Sequence, residues 1–380
     1  MTKILFLIHD LSVGGAEKVL VNLVNNMDCE KFDITVVTLF GGGVNEQFLK
    51  PHIRYRCIFK KVFSANSKIM KLFSPRLLHK LFIRDKYDIE IAYLEGPSAR
   101  IISGCQDKNT KLISWIHVEQ HTRSCAAASF RSYTEAKNCY EKFDNIVCVS
   151  KFVENDFKQI FPSLKKTEVL FNTNETAQIC CLQKEEVDSG VFPQDEFKII
   201  GVGKIVQKKG FDKLTRIHKR LIDEGYPVHS YVLGVGDARQ KIEDFLIENN
   251  LKDSFTFLGY QTNPYKYVSR CDLFVCSSEA EGFSTAATEA LIVGTPVVTT
   301  RVSGMEEMLG ENNEYGIITD NNEQALYEGI KKMIDNPQLY EHYCRQAEIR
   351  GKIFSTENTV KAVENMLIET LNKGDIDETN

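Results

Sequence analysis

Residues 3–40 read KILFLIHDLSVGGAEKVLVNLVNNMDCEKFDITVVTLF and contain a strand, a helix and a second strand in succession. Lys3–His9 and Asp33–Phe40 are largely continuous apolar runs, which is typical of parallel strands covered by helices on both faces. Between them, Gly15–Met27 has the apolar spacing of a helix. The pattern predicts a β-α-β unit with parallel strands.

The same alternation of strand and helix continues along the chain. Further strand-like runs are Asp88–Leu94, Lys111–Val118, Asn145–Ser150, Glu168–Phe171, Lys198–Val202, Ser230–Leu233, Phe255–Leu258, Asp272–Cys276 and Pro296–Thr300. Helical patterns between the later runs include Lys213–Glu224, Ala238–Asn249 and Glu323–Ile334. We therefore predict an α/β fold with two doubly wound parallel-sheet domains.

A polar segment, Gln183–Glu196, separates the two series of strands. It reads QKEEVDSGVFPQDE, and its five acidic residues, glycine and proline are typical of a linker. The expected domains are therefore 1–182 and 197–354. Ligands of doubly wound sheets bind beyond the carboxyl ends of the strands, so two domains facing across a cleft would place a site in that cleft.

Composition excludes several classes of protein. With 47 basic and 52 acidic residues the net charge is −5, which argues against nucleic acid as the main partner. The eleven cysteines contain no CxxC pair, so we expect neither a disulfide framework nor a structural zinc site. The N-terminal apolar run lacks a signal-peptide cleavage region, and no run reaches the ~20 apolar residues of a membrane-spanning helix. We expect a cytoplasmic protein.

Glycines follow the first strand of each half. Gly14 and Gly15 precede the first helix, where free backbone N–H groups and the helix dipole favour a phosphate. The pattern is not GxGxxG, so a dinucleotide cofactor is not expected. The alternative is a tight turn without a ligand.

The second half opens with a related loop, residues 203–210, which read GKIVQKKG. Its Lys204 and Lys209 would bind a diphosphate as point charges, without the planar fork of arginine. A further glycine turn at residues 234–237 follows the next strand and would face the same ligand. The alternative is a solvated basic loop.

Residues 277–290, SSEAEGFSTAATEA, carry the most specific pattern. Glu281 lies in the turn after a strand, and Glu289 lies about two helical turns later, on the same side. Each carboxylate accepts two hydrogen bonds, as pairs of sugar hydroxyls require. The backbone amides of residues 282–284 precede a helix and suit an anionic or hydroxyl-bearing ligand. The alternative is a capped surface helix.

This stretch resembles the signature of the retaining family 4 glycosyltransferases, which have the GT-B fold and act in bacterial polysaccharide and glycan biosynthesis. The signature is a pair of glutamates separated by seven residues, followed here by Gly294-Thr295-Pro296-Val297-Val298 and Ser303-Gly304. The resemblance covers nearly the whole chain, because Gly14-Gly15, Gly203-Lys204, Lys209-Gly210, Leu258-Gly259-Tyr260 and Asn263-Pro264-Tyr265 also occur in the family's order. It implies two facing domains, with a C-terminal helix near residues 355–371 that packs back onto the N-terminal domain.

The resemblance also implies a role for each matching residue. The donor diphosphate would contact Gly15, Lys204 and Lys209, the ribose Glu289, the base Leu258, Gly259 and Tyr260, and the transferred sugar Gly282, Phe283 and Ser284. Glu281 and His117 would be the catalytic residues beside that sugar, although His117 at a strand end is alternatively a core histidine. The chain departs from the family at Lys204, where arginine is more frequent, and at Thr173, where glycine is usual.

The implied reaction transfers a hexose or N-acetylhexosamine from a nucleotide-diphosphate sugar, expected to be a UDP-sugar, to a growing lipid-linked glycan. Metal-dependent glycosyltransferases usually carry Asp-x-Asp, and here that pattern occurs only at residues 375–377, in the tail. Lysines and helix dipoles would therefore neutralise the leaving diphosphate without a metal. The alternatives are a nucleotide-sugar epimerase of the same fold and a catalytically inactive glycan- or nucleotide-binding subunit.

A basic, apolar stretch lies at residues 54–86. It holds ten basic residues and one acid, Asp85, with large apolar residues interleaved. Such a stretch can lie on an anionic membrane surface, which would suit a lipid-linked acceptor and a peripheral protein at the inner face of a membrane. The alternative is a helix pair that buries its apolar face and leaves a solvated basic rim.

Overall fold

The structure is a computed structural model that describes residues 1–12, 14–63, 66–164, 166–188, 190–192 and 195–376. The chain divides into two units. The first comprises Met1–Asn174 together with the C-terminal segment that begins at Thr356, and the second comprises Glu175–Ser355. Each unit is a doubly wound α/β domain, as the alternation of strands and helices predicts.

Seven parallel strands form the sheet of the first unit within the described residues. They are β1 (Thr2–Ile8), β2 (Phe32–Phe40), β3 (Arg54–Phe59), β4 (Ile89–Ala92), β5 (Lys111–Ile116), β6 (Asn145–Cys148) and β7 (Thr167–Val169). Their order in the sheet is β3-β2-β1-β4-β5-β6-β7. Because the order reverses between β1 and β4, the loops after these strands diverge and leave space for a ligand there.

Helices cover both faces of this sheet. They are α1 (Gly15–Asn26), α2 (Asn66–Leu72), α3 (Pro75–Phe82), α4 (Pro97–Ile102), α5 (Arg123–Ala126), α6 (Tyr133–Tyr140), α7 (Lys151–Ile160) and α16 (Thr356–Ile376). Residues Ile4–Ile8 of β1 are completely buried, which explains why this strand is continuously apolar.

Glu154 of α7 is also buried and accepts hydrogen bonds from Lys151, from Lys158 at 2.8 Å and from Thr167 at 2.5 Å.

The second unit repeats the same winding with six parallel strands among its described residues. They are β8 (Phe197–Val202), β9 (Val228–Leu233), β10 (Phe255–Gly259), β11 (Leu273–Cys276), β12 (Val297–Thr300) and β13 (Ile317–Thr319). The order is β10-β9-β8-β11-β12-β13, so the reversal lies between β8 and β11. The helices are α8 (Thr176–Leu182), α9 (Phe211–Asp223), α10 (Arg239–Glu248), α11 (Tyr265–Val268), α12 (Thr285–Ile292), α13 (Met305–Leu309), α14 (Glu323–Asp335) and α15 (Pro337–Ile353).

The division into units differs from the predicted boundary after residue 182. Helix α8 packs against α11 and α12 of the second unit, and Asn263 Nδ2 donates to the Leu182 carbonyl at 2.8 Å. The described part of the predicted linker is also packed, because the Phe192 ring lies 5.0 Å from that of Tyr231. Polar composition indicated a linker here, but its described part is held by this ring contact and by hydrogen bonds such as that from Tyr231 OH to the Val191 carbonyl at 3.0 Å.

The C-terminal helix belongs to the first unit. Helix α16 contacts α1, and the Asp28 amide donates to Glu364 Oε1 at 2.7 Å. Thr356 Oγ1 donates to the Asn174 carbonyl at 2.6 Å where the chain returns. Among the described residues, no helix combines the length and apolar character needed to cross a bilayer.

Candidate active site

Three glycine turns meet at the carboxyl edge of the second sheet, at the ends of β8, β9 and β10. Gly203, Gly234 and Gly259 all have positive φ, at 155°, 149° and 68°. The Gly234 amide donates to the Gly259 carbonyl at 2.8 Å, and a Cβ added to Gly234 would lie 1.9 Å from the Gly203 carbonyl oxygen. The turns that sequence analysis assigned to the diphosphate and the base therefore touch through their backbones, and only glycine permits this approach.

The structure also brings two predicted site residues into direct contact. Lys209 Nζ lies 2.5 Å from Glu281 Oε1, and the same carboxylate oxygen accepts from Ser278 Oγ at 2.6 Å. The side chains of Lys209 and Glu281 are 24% and 11% exposed. Gly210, with φ of 65°, allows this contact because its Cα hydrogen faces the Ser277 carbonyl, where a Cβ would lie at 2.1 Å.

Lys204, the second predicted diphosphate ligand, is exposed and forms no ion pair with any described residue. Its charge is therefore available to an anion from solvent. Tyr260, from the predicted base-binding segment, is 59% exposed, and Leu258 beside it is half-buried. Lys204 follows Gly203 in the sequence, and Leu258 and Tyr260 flank Gly259. None of these three side chains has a hydrogen-bond or ion-pair partner among the described residues.

Helix α12 carries the rest of the predicted donor site. Ser284 caps it, accepting from the Ala287 amide at 3.4 Å, so residues 282–284 immediately precede the first helical turn. The Phe283 side chain is buried, and a Cβ added to Gly304 would lie 2.7 Å from its ring. Phe283 thus serves packing with its side chain, and only its backbone is suited to a ligand. Glu289 is 8% exposed, and its Oε1 accepts from Tyr265 OH at 3.3 Å.

The residues that hold the loop before Glu281 were not predicted from the sequence. Lys213 of α9 is 8% exposed, and its Nζ donates to Asn321 Oδ1 at 3.0 Å and to the Ser277 carbonyl at 3.4 Å. Asn321 Nδ2 in turn donates to the Glu279 carbonyl at 3.1 Å. Burial lowers the pKa of Lys213, against the attraction of nearby acids. A lysine on the buried face of an amphipathic helix was the available signal, whereas nothing in the sequence marked Asn321.

In the first unit, the loop after β1 places Gly15 at the first residue of α1. Asp10 precedes it and accepts from the Ser12 amide at 2.8 Å, while its other oxygen lies 2.7 Å from His9 Nδ1. Burial opposes the ionisation of Asp10, but the hydrogen bonds from Ser12 and His9 outweigh it and lower its pKa. Burial raises the pKa of Glu17 in the first helical turn. The loop therefore presents one carboxylate with its partners already in place.

His117 follows β5 and is 7% exposed. Its amide donates to Glu95 Oε2 at 3.0 Å, and its ring lies 5.0 Å from that of Tyr93. Burial lowers the pKa of His117 to about 3, so its imidazole is neutral at physiological pH. Among the described residues its Nε2 has no hydrogen-bond partner, which is unusual for a buried polar atom.

Two clusters in the described chain have side chains that can hold a metal ion, and neither includes a predicted donor residue. His79, Glu90 and Cys105 form one, and Glu119, His121 and Asp156 form the other, with ligand atoms within 4.8 Å of one another in each. In the first cluster burial opposes protonation of His79, but Cys105 and Glu90 outweigh it and raise its pKa to about 9. Asp156 already accepts the His121 amide at 3.1 Å. The last residue of the tail Asp-x-Asp lies outside the described residues.

Two family models match this chain. Residues 13–176 match the family described as Glycosyltransferase Family 4, and residues 183–350 match Glycosyl transferases group 1. The chain is 27% identical over 365 residues to the N-acetylgalactosamine-N,N'-diacetylbacillosaminyl-diphospho-undecaprenol 4-alpha-N-acetylgalactosaminyltransferase of Campylobacter jejuni, covering 93% of this chain and 96% of the relative. It is 21% identical to the lipopolysaccharide core biosynthesis glycosyltransferase LpsD of Rhizobium meliloti, over 97% of each chain.

Solved structures show the same fold. Anabaena HepE, determined in complex with UDP and glucose, superposes with a TM-score of 0.75 at 18% sequence identity, covering 97% of this chain and 100% of that one. The predicted GT-B fold is therefore confirmed. With both of its halves matched, this chain belongs to the family 4 glycosyltransferases of bacterial glycan biosynthesis.

Proposed function

We propose that the protein is a retaining, metal-independent glycosyltransferase that moves a hexose or N-acetylhexosamine from a UDP-sugar to a lipid-linked glycan at the cytoplasmic face of a membrane. The observation that carries the donor assignment is the triad of Lys209, Glu281 and Ser278 beside the glycine turns. It combines a cation for a diphosphate with a carboxylate for sugar hydroxyls.

The contacts of Lys209, Glu281 and Ser278 indicate an exchange of partners when the donor binds. Without donor, the Lys209 charge is neutralised by Glu281. A donor diphosphate replaces that carboxylate as the partner of Lys209, with Lys204 as the second cation. Glu281 is then released from Lys209 and accepts hydrogen bonds from the hydroxyls of the transferred sugar. The hydrogen bond from Ser278 Oγ to Glu281 remains in place. The ribose hydroxyls would bind Glu289 of α12, whose carboxylate accepts a hydrogen bond from Tyr265 OH at 3.3 Å.

The mechanism follows from the same charges. As the bond between the sugar and the diphosphate breaks, negative charge grows on the leaving oxygen, and the two lysines stabilise it where other transferases use a metal. The acceptor hydroxyl attacks from the face that the diphosphate leaves, and a phosphate oxygen takes its proton, so the anomeric configuration is retained. His117 is the candidate hydrogen-bond partner of the transferred sugar, since its neutral imidazole has an Nε2 without a described partner.

Two relatives support the choice of substrates. Anabaena HepE was solved with UDP and glucose, which favours a uridine nucleotide over other bases. The Campylobacter jejuni relative acts on a diphospho-undecaprenol-linked sugar, which favours a lipid-linked acceptor. Because base contacts in the glycine turns are made by backbone, the nucleotide has to be identified by measurement.

The first experiment is thermal stabilisation of the purified protein by UDP, GDP, TDP, ADP and CDP in the presence of EDTA. A nucleotide at about 100 times its Kd adds about 2.7 kcal/mol of stability. We expect a shift with UDP that added magnesium does not increase. A shift that requires a divalent ion would contradict metal independence, and a shift with another nucleotide alone would replace the UDP assignment.

Variants locate the binding site and the chemistry. Lys209→Met should weaken UDP binding about 10- to 100-fold, the value of a charge-assisted hydrogen bond, while Lys208→Met, its exposed neighbour, should bind normally. The Lys204 side chain is exposed and forms no ion pair with any described residue. A loss of UDP affinity in Lys204→Met therefore cannot be attributed to misfolding. Glu281→Gln should abolish transfer while UDP still binds. Conversion of a UDP-sugar without acceptor would instead indicate an epimerase.

The stereochemical prediction has its own test. A UDP-α-sugar and a polyprenyl-diphosphate-linked acceptor should give a product whose new linkage is α, read from the anomeric proton coupling. A β-linked product would refute retention.

A further inference from the structure

Helices α2 and α3 expose an unusual concentration of apolar side chains. Sixteen large apolar side chains are exposed among the described residues, and six of them lie within 20 residues: Val62, Ile69, Leu72, Phe73, Leu77 and Leu81. Leu72 is 75% exposed and Leu81 is 51% exposed. Because Leu77 and Leu81 are four residues apart in α3, they lie on one face of that helix. Soluble helices normally turn such a stripe toward the core.

Unpaired cations accompany this stripe. Seven basic side chains of the same stretch are exposed and form no ion pair with any described residue: Lys60, Lys61, Lys68, Arg76, Lys80, Arg84 and Lys86. By contrast, Arg54 pairs with Asp33 at 2.8 Å, and Arg56 donates to the Phe82 carbonyl at 2.8 Å. Arg54 and Arg56 on β3 thus have partners within the protein, whereas the seven cations form no ion pair with any described residue.

Two arginines of the first unit hold the end of α2 in place. The last four carbonyls of the α2 turn, at residues 70–73, accept hydrogen bonds from two guanidinium groups. Arg100 donates to the first and last of them at 3.0 and 2.7 Å, and Arg131 donates to the middle two at 2.6 and 2.8 Å. Glu135 pairs with Arg100 at 3.0 Å and accepts the Arg131 amide at 2.6 Å. Met70 and Leu78 are buried, so the exposed stripe is the outer side of an anchored pair of helices.

We propose that this α2–α3 surface, the six apolar and seven basic side chains named above, docks the protein on an anionic lipid bilayer. The apolar side chains enter the interface between headgroups and acyl chains, and the surrounding lysines and arginines contact lipid phosphates. The excess of unpaired positive charge selects an anionic lipid surface rather than a second copy of this chain, whose own surface would be equally positive there.

The inference extends the proposed function, because a lipid-linked acceptor lies at such a surface. It adds the residues that make the contact and the charge of the lipid. Docking requires no donor and no acceptor, so it can be measured independently of catalysis.

The experiment is flotation of the full chain with vesicles of phosphatidylcholine alone or with about 30% phosphatidylglycerol. We expect binding to the anionic vesicles only, and weaker binding at about 0.5 M than at about 0.1 M NaCl. Each basic residue removed should weaken binding about fivefold. The charge variant is Lys68→Ser, Lys80→Ser and Arg84→Ser, and its control is Lys241→Ser, Lys252→Ser and Lys332→Ser, which are exposed on the second unit.

Apolar variants provide a second, matched comparison. Leu72→Ser, Leu77→Ser and Leu81→Ser together should reduce binding at least tenfold, because each removes an exposed side chain that enters the interface. The control is Ile247→Ser, Ile349→Ser and Ile353→Ser, whose side chains are 50%, 50% and 42% exposed in the second unit. Since all six residues are exposed, folding should survive, and stabilisation by UDP should be unchanged in both variants.

Three results would overturn the proposal. One is a wild-type protein that stays unbound with anionic vesicles at low salt. Another is equal loss of binding in the surface variants and their controls. The third is a dimer in sedimentation velocity that the apolar triple variant dissociates, without vesicle binding, since the surface would then join two copies of the chain. If vesicles bind but no nucleotide does, the docking surface stands and the proposed function fails.

Discussion

Replacing Arg100 by methionine tests whether a buried arginine anchors α2. Arg100 is 1% exposed and makes hydrogen bonds to two carbonyls and to both oxygens of Glu135. Methionine keeps most of the apolar length but leaves Glu135 without its main partner. Breaking a buried ion pair by removing one member costs about 3 to 5 kcal/mol. Glu135 is 18% exposed and keeps the Arg131 amide, so we expect the lower value, about 3 kcal/mol.

The assay is urea unfolding followed by the fluorescence of Trp115. This is the single tryptophan of the chain and lies buried in β5, so its signal reports the first unit alone. In a unit of this size the loss corresponds to a Tm lower by about 6 to 12 °C. Arg131→Met is the matched control, because that exposed side chain also donates to two carbonyls of α2 but should cost far less.

A double variant separates charge from shape. Arg100→Met combined with Glu135→Gln should be less destabilised than the sum of the two single variants, because no uncompensated carboxylate remains. If Arg100→Met and Arg131→Met cost the same, or if Arg100→Met costs less than about 1 kcal/mol, burial is not the source of the effect and the reasoning is refuted.

Three further outcomes are expected. Despite its burial, His79 has a pKa raised from 6.5 to about 9 by a neighbouring thiol and carboxylate, so its stabilising contribution is full below pH 6.5 and is lost as the pH rises through 9. Urea unfolding followed by Trp115 fluorescence should show that the free energy of unfolding falls by about 3 kcal/mol between about pH 6 and about pH 9. His79→Gln should largely remove this dependence on pH. Glu154 has the opposite sign: hydrogen bonds outweigh burial and lower its pKa from 4.5 to about 2, so its contribution is present above pH 4.5 and is lost as the pH falls toward 2. From about pH 5 to about pH 3 the wild type should lose about 2 kcal/mol more than Glu154→Gln, and parallel curves would contradict this. Gly234→Ala would place a Cβ 1.9 Å from a carbonyl oxygen of the adjacent donor turn, so calorimetry should show a loss of more than about 3 kcal/mol and UDP binding should weaken. Gly225→Ala, at φ of 85° but with open space around it, is the control for backbone strain alone and should cost about 1 kcal/mol.

Local chemistry explains why so much of the fold is readable from the chain. A buried parallel strand has to be apolar on both faces, so β1 and its counterparts stand out as continuous apolar runs. A close approach between backbones requires glycine, so the turns at Gly203 and Gly234 are marked in the sequence before any contact is known. The pair Glu281 and Glu289 is visible as a sequence pattern, although the helix period applies only to Glu289, because Glu281 precedes the first residue of α12.

Contacts between distant segments are different, because no local pattern encodes them. The bridge from Lys213 through Asn321 to the loop before Glu281 joins residues about a hundred positions apart, and either side chain alone reads as an ordinary polar residue. The segment before β8 looked like a linker for the same reason, since its composition does not reveal that Phe192 packs on Tyr231.

The basic stretch shows the boundary between the two kinds of information. Its composition was compatible with contact to an anionic membrane or with a helix pair that buries its apolar face. The tertiary structure decides which side chains are exposed: Met70 is buried and Leu72 is 75% exposed at the end of α2 that Arg100 and Arg131 bind. Periodicity and sterics act within a few residues and are therefore written into the sequence, whereas the exposure of a side chain depends on which remote groups occupy the space around it.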